Sequence, residues 1–177
     1  MKVLIISASP RKNGNSEVLC DRFMEGAQSV GHEVEKINLY EKKLEPCHAC
    51  YACRNNHECI IRDDMDTIQN KMIEADVIVL STPVYFYSMA SQMKMLIDRC
   101  LPKYTQMKNK KFYYVITAAD PSHEACRETI LGFRGFLRCL DNAQECGVIY
   151  GTGAWDKGDI YQLEVYNEAY RMGAELK

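Results

Sequence analysis

Five short apolar runs alternate with five helical patterns along the chain, and this alternation constrains the fold more than any other feature. The runs cover residues 3–6, 34–39, 77–80, 112–116 and 148–150. Four of them are almost continuously apolar, which is typical of strands buried on both faces of a parallel sheet. The run at 34–39 is more polar, with Glu35, Lys36 and Asn38, and this composition predicts an edge strand.

Between these runs, apolar residues recur at a spacing of three or four, which predicts helices. The predicted helices cover residues 18–30, 65–72, 89–100, 126–140 and 163–173. Strands that alternate with helices form βαβ units, so the pattern predicts an α/β fold whose parallel sheet is covered on both faces. Ligands of such folds bind beyond the carboxyl ends of the strands. A length of 177 residues predicts a single domain, residues 1–177.

Charge and cysteine content exclude several classes of protein. The formal net charge is −2, which gives no electrostatic reason to expect nucleic acid or an anionic membrane as a partner. No apolar stretch reaches the roughly 18 residues of a transmembrane helix, and the amino terminus lacks a signal-peptide pattern, so we expect a cytoplasmic protein with no membrane partner. Nine cysteines, an odd number, argue against a secreted disulfide framework. Five of them are scattered through apolar segments, where we expect buried, reduced thiols: Cys20, Cys100, Cys126, Cys139 and Cys146.

The first run leads into SASPRKNGNS, residues 7–16, which has the composition of an anion-binding turn. Gly14 permits a tight turn, and Asn15 or Ser16 can cap the following helix, whose first N–H groups then face an anion. Ser9, Ser16 and Arg11 are further candidate donors. The segment has neither the G-x-G-x-x-G dinucleotide pattern nor the Walker lysine. Taken alone, it also fits a capped turn that binds nothing.

Two further segments follow runs that belong to the same sheet. STPVYFY, residues 81–87, follows the third run, and TAAD, residues 117–120, follows the fourth. Because the carboxyl ends of parallel strands meet at one edge, all three segments are expected to converge there. The segment at 7–16 offers anion donors, and the segment at 81–87 offers aromatic rings around a proline-fixed turn. Together they predict a site for a planar ring that carries a phosphate.

Three motifs carry a resemblance to a known family over essentially the whole chain. S-x-S-P-R-x-x-G-N-S, D-V-I-V-L-S-T-P-V-Y-F-Y-S-M and K-M-L-I-D-R resemble the NAD(P)H-dependent FMN reductases of the flavodoxin-like fold. The resemblance implies a doubly wound three-layer sandwich with a five-stranded parallel sheet in the order 2-1-3-4-5. It also implies bound FMN, NAD(P)H as co-substrate, and a homodimer or homotetramer.

The resemblance further implies which residues hold FMN. Those at the phosphate are Ser9, Arg11, Gly14, Asn15 and Ser16. Those beside the isoalloxazine ring are Pro83, Val84, Tyr85 and Phe86. Those at the far side of the ring are Thr117, Ala118, Ala119 and Asp120.

A cysteine-rich segment at about residues 41–62, here called the cysteine loop, has no clear periodicity. Its spacing C-x2-C-x2-C-x5-C contains Cys47, Cys50, Cys53 and Cys59. Close spacing of this kind is typical of ferredoxin-type ligation, whereas structural zinc more often joins two separated C-x2-C pairs. In the resembled family the pattern is similar to that of iron–sulfur flavoproteins, which carry a [4Fe–4S] cluster near FMN, although related reductases keep such cysteines without a cluster. An iron–sulfur cluster, zinc and free or redox-switching thiols therefore all remain open.

Two main functions follow from these expectations, besides a third in which the cysteine loop is a thiol or metal switch on the same scaffold. The first is an oxidoreductase that transfers electrons from NAD(P)H through FMN to flavin, quinone or a similar acceptor. The second is an iron–sulfur flavoprotein that carries electrons between a ferredoxin-like partner and other acceptors through a [4Fe–4S] cluster and FMN. In both, the cofactor supplies the redox chemistry, so no catalytic acid, base or nucleophile is expected from the protein.

Overall fold

The computed structural model describes residues 1–176, so Lys177, the last residue of the predicted domain, lies outside the described residues. Five parallel strands form the main sheet: β1 (Lys2–Ser7), β2 (Glu33–Asn38), β3 (Val77–Tyr85), β5 (Lys111–Ala118) and β6 (Gln144–Thr152). The short strand β4 (Ser88–Met89) pairs antiparallel with the end of β3. The main order is β2-β1-β3-β5-β6, which confirms the predicted doubly wound order and places the polar β2 at an edge.

Helices cover both faces of the sheet and produce the predicted three layers. The helices are α1 (Asn15–Ser29), α2 (Cys53–Asn56), α3 (Met65–Glu74), α4 (Ser91–Arg99), α5 (Arg127–Leu137) and α6 (Val165–Ala174). One hydrophobic core lies between the sheet and the pair α1 and α6, and the other lies between the sheet and α3, α4 and α5. Gly26 of α1 and Gly173 of α6 permit the close contact of these two helices, because a Cβ at either position would lie 2.1 Å from a backbone oxygen of the other helix.

The register of the sheet aligns the strand ends that the sequence predicted to converge. Ser7 at the end of β1 pairs with Ser81 in β3, and Thr117 in β5 pairs with both Pro83 in β3 and Gly151 in β6. The carboxyl ends of four strands therefore meet at one edge of the sheet. This edge is where ligands of doubly wound folds bind.

The structure corrects the local prediction around Pro83. The segment after Leu80 is not a proline-fixed turn, because β3 continues through Pro83 to Tyr85 and turns only at Phe86 and Tyr87. β1 ends opposite Ser81, so Pro83 lies where the missing proline N–H removes no bond to β1. Met89, predicted as the start of a helix, lies in β4 instead.

Burial corrects two further predictions. Cys20, Cys100 and Cys126 are buried as expected, but Cys139 and Cys146 are exposed. Lys94, Asp98 and Arg99 lie one helical turn apart, a spacing that predicts an exposed or paired cluster; Lys94 and Asp98 form an exposed pair at 2.6 Å, but Arg99 is buried. Within residues 1–176, no helix has the length and apolarity needed to cross a membrane.

Candidate functional site

A cavity of about 200 Å³, here called the strand-end cavity, lies at the carboxyl ends of β1, β3, β5 and β6. All but two of the residues predicted to hold FMN line it. They are Ser9, Arg11, Gly14, Asn15, Ser16, Pro83, Val84, Tyr85, Thr117, Ala118 and Ala119. Phe86 and Asp120 are not among its lining residues, and Ala154 and Trp155 are lining residues that the sequence did not predict.

The helix that begins beside the strand-end cavity has free donors at its amino terminus. Helix α1 starts at Asn15 after Gly14, and no side chain caps it, so neither Asn15 nor Ser16 takes the predicted capping role. The first N–H groups of a helix have no partner within the helix and attract anions. A Cβ at Gly14 would lie 3.0 Å from the backbone oxygen of Arg11, so only glycine fits this turn without a shift of the loop.

Hydrogen bonds within the chain hold this loop in place. The Ser9 hydroxyl donates to the Arg11 carbonyl oxygen and accepts from the Arg11 N–H, both at 3.3 Å. The Asn13 N–H donates to the Glu17 carboxylate. The hydroxyls of Ser16 and Thr117 lie 2.5 Å apart, which joins the start of α1 to the end of β5. The donors around the turn are therefore fixed relative to the sheet.

The loop after β6 forms a wall of the strand-end cavity through contacts with Asn15. The Asn15 amide donates to the carbonyl oxygens of Asp156 at 2.9 Å and Ala154 at 3.3 Å, and its oxygen accepts from the Gly158 N–H at 3.1 Å. The Asn15 side chain is thus occupied by this loop, although its residue still lines the cavity. The glycines at 151, 153 and 158 after the fifth apolar run were the sequence signal that a loop at this edge approaches a ligand.

Trp155 and Tyr85 are aromatic residues of the strand-end cavity, and both remain accessible to solvent. Trp155 is 73% exposed and Tyr85 is 43% exposed. The backbone N–H of Trp155 donates to the Asp159 carboxylate at 2.9 Å, which helps to fix the backbone that carries the indole ring. The cavity therefore has an aromatic and solvent-accessible part in addition to its donor-rich loop.

Phe86 and Asp120 are the two predicted residues that do not line the strand-end cavity, and the structure shows where each lies instead. Phe86 is fully exposed at the tip of the β3–β4 hairpin, and both Phe86 and Tyr87 have positive φ angles, of 49° and 61°. Non-glycine residues at such angles are strained. The Asp120 carboxylate accepts from the Ser122 N–H at 2.8 Å, which caps the following turn.

The four clustered cysteines line a second cavity of about 30 Å³, here called the cysteine pocket. Cys47, Cys50, Cys53 and Cys59 all border it, together with Arg99 and other residues near the end of α4. Among residues 1–176, no three cysteine, histidine or carboxylate side chains are grouped closely enough to hold a single metal ion. A [4Fe–4S] cluster binds each thiolate through a different iron, so its ligands surround a larger volume than the ligands of one ion do.

A buried ion pair lies beside the cysteine pocket. Arg99 and Asp63 have side chains that are 2% and 1% exposed, and they form a bidentate pair at 2.7 and 3.0 Å. Burial raises the pKa of Asp63, but hydrogen bonds from Arg99 and from the N–H groups of Glu45 and Met65 lower it by more, so the net direction is down. Burial lowers the pKa of Arg99, and contacts with Asp63 and with the Cys59 sulfur raise it by more. In the sequence, Asp63 and Asp64 precede a predicted helix, where carboxylates favour the helix dipole, and this local explanation gives no sign of the pair with Arg99.

Comparisons with known proteins agree with this geometry. A family model described as NADPH-dependent FMN reductase matches residues 1–140. An iron–sulfur flavoprotein of Methanocaldococcus jannaschii is 44% identical over 62% of this chain and 58% of its own length. An iron–sulfur flavoprotein of Methanosarcina thermophila is 40% identical over 62% of this chain and 59% of its own length. The chain therefore spans less than two thirds of the length of these curated relatives.

Solved structures share the fold at low sequence identity. An FMN-dependent NADH-azoreductase from Bacillus anthracis, in complex with FMN, has a TM-score of 0.73 at 16% identity and covers 98% of both chains. An NAD(P)H:quinone oxidoreductase from Methanothermobacter marburgensis has a TM-score of 0.71 at 18% identity, over 98% of this chain and 96% of its own. At these identities, the likeness shows the fold alone.

Proposed function

The chain belongs to the NADPH-dependent FMN reductase family, and from that premise we propose that it binds FMN in the strand-end cavity and transfers electrons from NAD(P)H to flavin, quinone or a similar acceptor. The observation that carries this proposal is the uncapped start of α1 beside Gly14, at the edge where four strands end. A phosphate at that position would receive backbone donors and the Arg11 charge, and the Ser9 and Ser16 hydroxyls would lie beside it.

The residues present fit FMN in both of its parts. The donor-rich loop suits the phosphate, while Tyr85, Pro83 and Trp155 offer apolar and aromatic surface for the ring. When bound, FMN supplies the chemistry, because its ring accepts hydride and passes electrons on. The work of the chain is to hold the phosphate, to orient the ring between the β3–β4 hairpin and the 154–158 loop, and to leave one face accessible to nicotinamide.

Trp155 provides a direct test, because it is the only tryptophan of the chain and lines the proposed site. Titration of flavin-free protein with FMN is expected to quench the tryptophan fluorescence at one equivalent. A riboflavin titration serves as the control, since riboflavin lacks the phosphate and is expected to bind much more weakly. Equal affinity for FMN and riboflavin, or an unchanged emission with FMN, would refute the proposed orientation.

A second function, an electron carrier with FMN and a [4Fe–4S] cluster, is favoured by the cysteine pocket. All four clustered cysteines border one cavity, and that is the arrangement such a cluster needs. The relatives named iron–sulfur flavoproteins support the same candidate. Cys47, Cys50, Cys53 and Cys59 would be its ligands, and a ferredoxin-like protein would be the redox partner.

Anaerobic purification distinguishes the two functions. Iron, sulfide and FMN are quantified on the same sample, after reconstitution with ferrous iron and sulfide. About four irons and four sulfides for each chain support the carrier. FMN without iron supports the reductase. Absence of both cofactors contradicts both candidates.

The organisation of the chain remains part of the proposal. We propose a single domain over residues 1–177 that assembles as a homodimer or homotetramer. The fully exposed Phe86 and the exposed Tyr87 and Trp155 form apolar surface near the strand-end cavity, which a second subunit is suited to cover.

A further inference from the structure

One hydrogen-bond donor of Arg99 has no acceptor in hydrogen-bonding geometry among residues 1–176. Its Nη1 donates to the Glu45 carbonyl oxygen at 2.6 Å and to Asp63 at 2.7 Å, and its Nη2 donates to Asp63 at 3.0 Å. Its Nε is buried and has no partner among residues 1–176. A buried donor without an acceptor costs free energy, so such a group calls for an explanation.

The surroundings of Arg99 identify what kind of acceptor is missing. Arg99 borders the cysteine pocket together with all four clustered cysteines, and the Cys59 sulfur lies beside its guanidinium. A neutral thiol is a weak acceptor, whereas a thiolate or a metal-bound sulfur is anionic and accepts strongly. The unpaired Nε–H of Arg99 and the positive charge of its guanidinium are therefore both complementary to anionic sulfur.

Asp63 holds the guanidinium in this orientation and also fixes the ends of the cysteine loop. Its carboxylate accepts from the Glu45 N–H at 2.9 Å and from the Met65 N–H at 3.1 Å, besides Arg99. The neighbouring Asp64 accepts from the Lys43 N–H at 2.7 Å. The two ends of the loop and the end of α4 thus meet at one buried pair, next to the cysteine pocket.

We propose that Arg99, oriented by Asp63, is a positioning residue that donates a hydrogen bond from Nε to anionic sulfur at Cys59. The proposal rests on the second candidate function, in which the four cysteines hold a [4Fe–4S] cluster. One-electron reduction by an external reductant such as dithionite adds one negative charge to that cluster. A fixed cation and donor beside its sulfur stabilise the reduced form, so Arg99 raises the midpoint potential.

Two substitutions separate this role from simple anchoring of the loop. Arg99→Gln removes the positive charge and leaves Asp63 as an uncompensated anion, so the midpoint potential is expected to shift downward. Asp63→Asn removes the negative charge and leaves the Arg99 cation, so the potential is expected to shift upward. Both variants break the same buried pair, so a role limited to anchoring predicts damage of the same kind in both.

The measurement is an anaerobic redox titration of the reconstituted holoprotein, followed by visible absorption and by electron paramagnetic resonance. Arg134→Gln is the matched control, because Arg134 forms a bidentate pair with Glu145, at 2.7 and 2.8 Å, that does not border the cysteine pocket. This control is expected to keep the wild-type potential. If Arg99→Gln does not fold, Arg99→Lys replaces it, since lysine keeps the charge but lacks the Nε donor, and a smaller downward shift is expected.

Shifts of opposite sign in the Asp63 and Arg99 variants support the proposal. Shifts of the same sign, or unchanged potentials, overturn it while leaving the cluster in place. If the wild-type chain forms no cluster, the premise and the inference fail together. The FMN titration of Trp155 on the same preparations then reports separately whether the flavin function stands.

Discussion

The strand-end cavity and the cysteine pocket differ in how the fold supports them. The first is lined by segments that follow four aligned strands, and hydrogen bonds such as Ser16 to Thr117 join those segments to each other. The second is lined by a loop that is fixed mainly at its two ends, through Asp63 and Asp64. Ala49, Tyr51 and His57 inside that loop have positive φ angles, of 53°, 58° and 57°.

This difference teaches that the two sites depend on their ligands to different extents. The strand-end cavity takes its shape from the aligned strand ends and from hydrogen bonds between the segments that line it. The cysteine loop is mostly exposed and has positive φ angles at three non-glycine residues, and such strain persists only where surrounding structure determines it. A group bound by the four thiols would help to fix the backbone conformation of the cysteine loop. The following predictions test this contrast.

Thiol reactivity is expected to show the largest difference between the cysteine loop and the packed core of sheet and helices that supports the strand-end cavity. Burial raises the pKa of Cys20 and of Cys100 to about 12, above the ordinary 9.0, so at pH 8 their thiolate fraction is about a thousandfold below that of an ordinary thiol. Cys47 and Cys50 are exposed. In metal-free folded protein, we expect iodoacetamide to label Cys47 and Cys50 and to spare Cys20 and Cys100, as read by peptide mass spectrometry.

The upward direction of the pKa shift of Cys20 provides a control for this prediction. A raised pKa keeps the thiol neutral until the pH approaches that value, so labelling of Cys20 should stay absent as long as the protein remains folded. Exposed Cys139 and Cys146 are internal positive controls outside the loop. Labelling of Cys20 in folded protein at the rate of Cys139 would contradict the rigid character of the scaffold.

Replacement of Gly14 is expected to weaken FMN binding by about a hundredfold, which corresponds to about 2.7 kcal/mol. In Gly14→Val, the new side chain meets the Arg11 carbonyl oxygen, 3.0 Å from the Cβ position, and displaces the phosphate loop. The quenching of Trp155 by FMN measures the affinity. Iron content should stay at the wild-type value, because Gly14 does not border the cysteine pocket.

Gly135→Ala is the matched control for Gly14, since a Cβ at Gly135 meets nothing within 4 Å. It should leave FMN affinity unchanged. A similar loss in both variants would mean that FMN does not depend on the turn at Gly14.

Thr117→Val is expected to give the smallest effect. It removes the hydroxyl that pairs with Ser16 and leaves the buried Ser16 hydroxyl without that partner, at a cost of about 1–3 kcal/mol in stability. Thermal unfolding, followed by circular dichroism, measures the change. FMN affinity should fall only a few-fold, because the backbone donors of α1 remain.

Thr129→Val serves as the comparison for Thr117. The Thr129 hydroxyl is buried without a partner among residues 1–176, so its removal should be neutral or slightly stabilising. Equal destabilisation by both substitutions would show that loss of the Ser16 bond is not the cause.

Local sequence patterns predicted much of the architecture. Apolar runs predicted the five long strands, and three segments that follow them predicted most of the lining of the strand-end cavity. The hairpin was not predicted correctly, because aromatic residues at 85–87 look alike in sequence. Only the turn at Phe86 and Tyr87 separates Tyr85, which lines the cavity, from Phe86, which is fully exposed.

The sequence by itself determined the fold class, the sheet edge at which the candidate site lies and the cysteine spacing, because each depends on residues that are close along the chain. Only the tertiary structure decided which distant residues complete the two sites. The Asn15 side chain bonds to the 154–158 loop, which lies 139 to 143 residues further along the chain. Arg99 pairs with Asp63, which lies 36 residues before it. Such pairs depend on how helices and loops pack onto the sheet, and a pattern of neighbouring residues does not encode that packing.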